Sequence, residues 1–176
     1  MTDITYRAAR AADAGALARL FRDSFVETFG HLYSADNLAA FLAGKREADW
    51  AEELADSAFA IRIAEASGEA VGYAKLGPPS LPFAPRGPTA ELRQLYVLKP
   101  WHGAGIAHEL MRWTIAEAKA RGARDLVLSV YVDNHRARRF YDRYGFEYVG
   151  PYNFMVGDHA DEDHVMRLAL ENQNDG

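Results

Sequence analysis

The segment Leu95-Tyr96-Val97-Leu98-Lys99-Pro100-Trp101-His102-Gly103-Ala104-Gly105-Ile106-Ala107 limits the possible folds more than any other stretch of the chain. An apolar, strand-like run stops at Lys99-Pro100, two glycines follow at Gly103 and Gly105, and an amphipathic helical pattern begins at once. A strand that feeds a helix through a glycine turn belongs to an α/β architecture. The unpaired N–H groups at such a helix start point outward and share the positive end of the helix dipole, which suits a phosphate. Two nucleotide readings of the segment fail. A P-loop requires a Gly-Lys-Ser/Thr ending that is missing here, and a Rossmann turn requires a small residue where His108 stands.

The flanking sequence fills in the order. Residues 4–8 read as a strand, and Asp13 is placed to cap a helix with apolar positions Leu17, Leu20, Phe21, Phe25 and Phe29. Ser34 caps a second helix, and Trp50 and Leu54 mark a third. Residues 59–63 and 70–76 form a hairpin around Ser67-Gly68-Glu69. A proline-rich loop at 78–88 leads into a strand over 89–98, and the glycine turn opens a helix that reaches Arg121-Gly122. A strand over 125–132, a helix capped by Asn134 and closed by Gly145, and a final hairpin of 146–156 with 164–170 complete the chain. The order β-α-α-α-β-β-β-α-β-α-β-β describes a single α/β domain over residues 1–176.

Composition narrows the chemistry. The 176 residues include no cysteine, which excludes disulfides, Cys-ligated metals and a covalent cysteine intermediate. The net charge of −5 argues against sequence-independent nucleic-acid binding and suits a cationic substrate. No apolar stretch approaches the roughly 18 residues of a membrane span, and the N-terminus lacks a signal-peptide core, so the expectation is a cytoplasmic protein without membrane partners.

Two motifs then carry a resemblance. Val97-x-x-Pro100 followed by His102-Gly103-Ala104-Gly105-Ile106-Ala107 resembles the acyl-CoA pyrophosphate loop of the GNAT superfamily of N-acetyltransferases, with histidine in the usual Arg/Gln position. Asn134-x-x-Ala137-x-x-Phe140-Tyr141-x-x-Tyr144-Gly145-Phe146 resembles the family's second signature. The resemblance implies a mostly antiparallel mixed sheet with a splayed strand pair that admits acetyl-CoA. It further implies that the backbone of Leu95, Tyr96 and Val97 pairs with pantetheine and that Asn134 hydrogen-bonds the same arm. Tyr141 is implied as the general acid for the leaving thiolate, since a phenol of pKa about 10 can serve. Glu91 occupies the place of a general-base glutamate in some members. Strict alternation would set it on one strand face with Arg93, Leu95 and Val97. A water chain is the alternative base.

Further residues divide between functional and ordinary readings. His31, Tyr33 and Trp50 lie in the helical block that borders the acceptor pocket in the family, with plain packing as the rival reading. His159, His164 and the carboxylates between them read as an exposed polar turn rather than a metal site. The arginines at 136, 138, 139 and 143 read as a solvated face from which one side chain reaches the CoA 3′-phosphate. The Gly157-Asp158 pair with Asp163 and Met166 is similar to the C-terminal hairpin of PaiA-type polyamine acetyltransferases, although Asp161-Glu162 replaces the usual Gln-Thr. The expected function is direct acetyl transfer from acetyl-CoA to a small primary amine such as a polyamine. A protein N-terminal acetyltransferase and a non-catalytic CoA-binding module are the alternatives. Dimerisation is common in the family, and nothing in the sequence fixes a mode.

Overall fold

The computed structural model describes residues 2–170. Its strands are β1 (Ile4–Ala8), β2 (Ala60–Ala66), β3 (Glu69–Gly77), β4 (Thr89–Val97), β5 (Asp125–Tyr131), β6 (Glu147–Val156) and β7 (His159–Ala169). They form one seven-stranded sheet in the order β1-β2-β3-β4-β5-β7-β6, in which only β4 and β5 run parallel. The helices are α1 (Ala14–Phe29), α2 (Ala35–Ala43), α3 (Glu47–Ala55), α4 (Ile106–Ala120) and α5 (His135–Tyr144).

Each sheet face is covered by its own apolar layer. Leu17, Leu20, Phe21 and Phe25 of α1 join Leu42 and Trp50 against Ile61, Ile63 and Tyr73. On the other face, Ile106, Leu110 and Met111 of α4 pack with Leu126, Leu128 and Val130 of β5, and α5 adds Phe140 and Tyr141. Burying both faces explains why β5 reads Leu-Val-Leu without polar alternation. The β2–β3 turn places Ser67 and Gly68 at φ of 51° and 79°, the pair of positive values that a two-residue hairpin needs. Ser34 caps α2 through Asn37 N–H, and Asn134 caps α5 through Ala137 N–H.

Three sequence expectations change. Asp13 does not cap α1; its carboxylate accepts from the Arg10 N–H and from the Arg7 guanidinium, fixing the short 3-10 turn that precedes the helix. The final strand starts at His159 rather than His164, so the turn shrinks to Gly157-Asp158. The segment from His159 to His164 is therefore strand and not an exposed polar turn, and Asp161 and Asp163 are buried. The β3–β4 ladder carries the third change: Leu92 lies opposite Leu76 and Gln94 opposite Lys75, which leaves Arg93 without a partner. This bulge moves Glu91 onto the Gln94 and Tyr96 face, away from Leu95 and Val97.

Candidate active site

The parallel pairing of β4 with β5 covers only Thr89–Glu91 against Asp125–Val127. Beyond those three pairs the strands part, although β4 continues to Val97 and β5 to Tyr131. The backbone of Leu95, Tyr96 and Val97 is paired with β3 on one side and faces a gap on the other. That gap is a cleft of about 510 Å³ that passes between the strands from one sheet face to the other.

At the α4–α5 side the walls are the glycine turn and the two helix starts. Gly103 and Gly105 have φ of 83° and 80°, and a Cβ on either would meet no atom within 4 Å. Backbone conformation, rather than packing, therefore requires glycine, and the space before the turn stays open. The first-turn N–H groups of α4 have no intrahelical carbonyl to meet, so they remain available to an anion. His102 bridges the turn to its neighbours: its Nε2 lies 2.8 Å from the Val97 carbonyl and its Nδ1 lies 2.7 Å from an Arg136 nitrogen. A pyrophosphate at the helix start and an extended arm along open β4 fit this wall, so the residues present suit an acyl-CoA.

Tyr141 reaches the cleft from α5 and packs edge-on against Phe140 and Phe146. Burial pushes its phenol up to about 12, which keeps the proton on the oxygen at neutral pH. Tyr96, between Tyr73 and Phe21, is raised further by burial and then by the nearby Tyr141 and Asp163.

The α1 side of the cleft has a different character. Phe25, Phe29, Tyr33, Tyr131 and Phe154 form aromatic walls, and Asp161 and Asp163 lie among them. The Tyr33 hydroxyl donates to Oδ2 of Asp161, and His159 Nε2 lies 3.1 Å from Oδ1 of the same residue. Oδ1 of Asp163 is buried without a partner. Burial and then the Asp161 charge push the Asp163 carboxyl up to about 7, with the Ser129 side chain acting in the opposite direction.

Residues 16–146 match the sequence profile of the acetyltransferase (GNAT) family. The chain belongs to that family. An uncharacterised N-acetyltransferase of Mycobacterium tuberculosis is 36% identical over 155 residues, spanning 88% of this chain and 96% of that one. Among solved structures, the PaiA N-acetyltransferase of Thermoplasma acidophilum in complex with coenzyme A superposes with a TM-score of 0.77 at 20% identity, covering 95% and 99% of the two chains. The ribosomal-protein-S18-alanine N-acetyltransferase of Escherichia coli superposes at 0.71 with 17% identity, covering 98% of each.

In this GNAT acetyltransferase, most of the residues singled out in the sequence lie together along one cleft. Leu95, Tyr96, Val97, His102, Gly103, Gly105, Ile106, Ala107, Asn134 and Tyr141 all line the cleft, and Ala104 does not. Glu91 does not line it either. Its carboxylate accepts from the Ser80 and Leu81 N–H groups at 2.8 and 3.1 Å and pairs with Arg93 at 2.9 Å. Glu91 therefore anchors the proline-rich loop and is not placed to take a proton from an acceptor. Of the helical-block candidates only Tyr33 reaches the cleft; Trp50 packs beneath Tyr73 and the Lys75 ammonium. Arg136 and Arg143 line the cleft, whereas Arg138 is occupied by the Val132 carbonyl. Sequence reasoning missed the pairing of Asp161 with Asp163. Their spacing of two, once 159–169 is read as strand, puts them on one face.

Among the described residues no helix is long and apolar enough to cross a membrane.

Proposed function

We propose that the protein transfers acetyl from acetyl-CoA directly to the primary amine of a small cationic acceptor, of which polyamines are the favoured class. One observation carries the reading: a single cleft joins an anion-receiving glycine turn on one sheet face to an aromatic compartment with two buried carboxylates on the other. Bound there, acetyl-CoA would supply the activated acetyl thioester. The glycine turn and the start of α4 hold the pyrophosphate, while the open edge of β4 from Leu95 to Val97 aligns the pantetheine arm. Asn134 lines the same path while its side-chain oxygen caps α5. Tyr141 gives the leaving thiolate its proton, and burial excludes competing water. Aromatic faces and carboxylates together suit an ammonium group.

Thiol release from acetyl-CoA, measured against spermidine, amino acids, aminoglycosides and peptides, tests the proposal. Turnover with spermidine is expected. Turnover with peptides alone would replace the small-amine reading with an N-terminal acetyltransferase. Acetyl-CoA binding without turnover on any amine would leave a binding module.

A further inference from the structure

With Glu91 held outside the cleft, the acceptor ammonium still needs a proton acceptor, because only the neutral amine has a lone pair for attack. Asp161 and Asp163 sit two residues apart on β7, both more than nine-tenths buried and both facing the cleft. Their surroundings differ. Asp161 accepts a hydrogen bond from the Tyr33 hydroxyl at Oδ2 and has His159 Nε2 3.1 Å from Oδ1, and these neighbours hold it in place. Asp163 lines the cleft, and its Oδ1 is buried and meets no donor. An unmet carboxylate oxygen in a buried site makes the ionised form costly, so Asp163 is disposed to take up a proton from an ammonium in the cleft.

We infer that Asp163 is the catalytic proton acceptor of this enzyme and that Asp161 is its positioning partner. The inference rests on the acetyl-transfer reading above. In the step, the acceptor R–NH₃⁺ gives one proton to the Asp163 carboxylate, leaving R–NH₂ and a neutral carboxylic acid. The nitrogen lone pair then forms the C–N bond to the acetyl carbon as the C–S bond breaks. Tyr141 protonates the thiolate and regains a proton from the nitrogen, which would otherwise keep one too many. Asp163 finally releases its proton to solvent, so the sum is amide, free thiol and one proton. Two carboxylates with different surroundings thus take different roles.

Every element around Asp163 contributes to its setting. Asp161 adds negative charge from β7, and Ser129 and Tyr131 face it from β5. Tyr152 is its cross-strand neighbour on β6, Tyr33 follows α1, and Tyr96 comes from β4. The influences on its carboxyl are burial and Asp161, both raising it, and Ser129, which lowers it.

The test combines kinetics with a readout that does not depend on turnover. With acetyl-CoA and spermidine, Asp163→Asn should lower kcat about 10²-fold or more, remove the acidic limb of the rate profile, and leave acetyl-CoA affinity by calorimetry unchanged. Asp161→Asn should shift that limb to lower pH and raise the KM for spermidine. In the free wild-type protein, carbon-detected NMR of the Asp163 carboxyl should show a midpoint near neutral pH that falls in Asp161→Asn. A wild-type midpoint below about 5 overturns the inference whether or not any amine is acetylated. Full activity and an unchanged limb in Asp163→Asn overturn it while the amine-acetylation reading stands. Failure of the wild type to acetylate any small amine defeats that reading instead, and the carboxyl titration then decides the role of Asp163.

Discussion

Arg136 donates to Nδ1 of His102 across 2.7 Å, joining the first turn of α5 to the loop that opens α4. The same imidazole meets the Val97 carbonyl through its other nitrogen at 2.8 Å, so one ring ties together the end of β4, the glycine turn and α5. Because an arginine can only donate, Nδ1 must accept, and the Nε2 proton is directed at Val97. Histidine thus takes the position that the family's loop pattern gives to Arg or Gln and uses it to fix the loop.

Loss of this brace should weaken cofactor binding without slowing chemistry. Arg136→Ala is expected to raise the KM for acetyl-CoA about three- to tenfold, equivalent to roughly 1 kcal/mol, with kcat nearly constant. Steady-state kinetics at fixed saturating amine checks this. A large fall in kcat with unchanged KM would place Arg136 in the chemical step instead.

Tyr141 offers a pH signature. Burial pushes its phenol up to about 12, so the protonated, donating form persists across the working range and adds no descending limb at moderately alkaline pH. Tyr141→Phe should lower kcat about 10²-fold by an equal factor at every pH from 6 to 10. A profile whose alkaline side alone changes would contradict the acid role.

Glu91→Gln separates anchoring from catalysis. Removing the charge that meets two backbone N–H groups and Arg93 should cost about 1–3 kcal/mol and lower Tm by roughly 2–12 °C. The rate at 25 °C should remain within about threefold and its pH profile should not move. Disappearance of the acidic limb in this variant would restore Glu91 as the base.

The Arg7–Asp13 pair makes an acid-side prediction about stability. The Arg7 guanidinium holds the Asp13 carboxyl at about 2, against an ordinary 3.8. The folded state therefore binds this proton less readily than the unfolded chain. The resulting stability is fully present above about pH 4 and fades as the pH falls through about 2. Asp13→Asn should cost on the order of 1–2 kcal/mol at pH 7 and close to nothing near pH 2, read from urea melts at several pH values.

Much of this protein is local enough to be read from the chain. The glycine turn, the Ser34 and Asn134 caps, the β2–β3 hairpin and the helical stripes of α1 and α4 depend on neighbours within a few residues. Backbone sterics and side-chain period fix them before any tertiary contact forms. The glycine-turn side of the cleft was legible for the same reason, since its walls are one continuous strand–turn–helix and one capped helix.

The α1 side of the cleft was decided by the tertiary structure. A single bulged residue at Arg93 inverts the face of Glu91, and alternation alone cannot reveal a bulge whose register is set by β3. Polar spacing in His159–His164 suggests a turn until pairing with β5 and β6 supplies the backbone partners that make it strand. Only that pairing buries Asp161 and Asp163 together, under Tyr33 from a segment more than a hundred residues away in sequence. Local residues thus determined the strand–turn–helix that opens the cleft, and long-range burial decided which carboxylates line it.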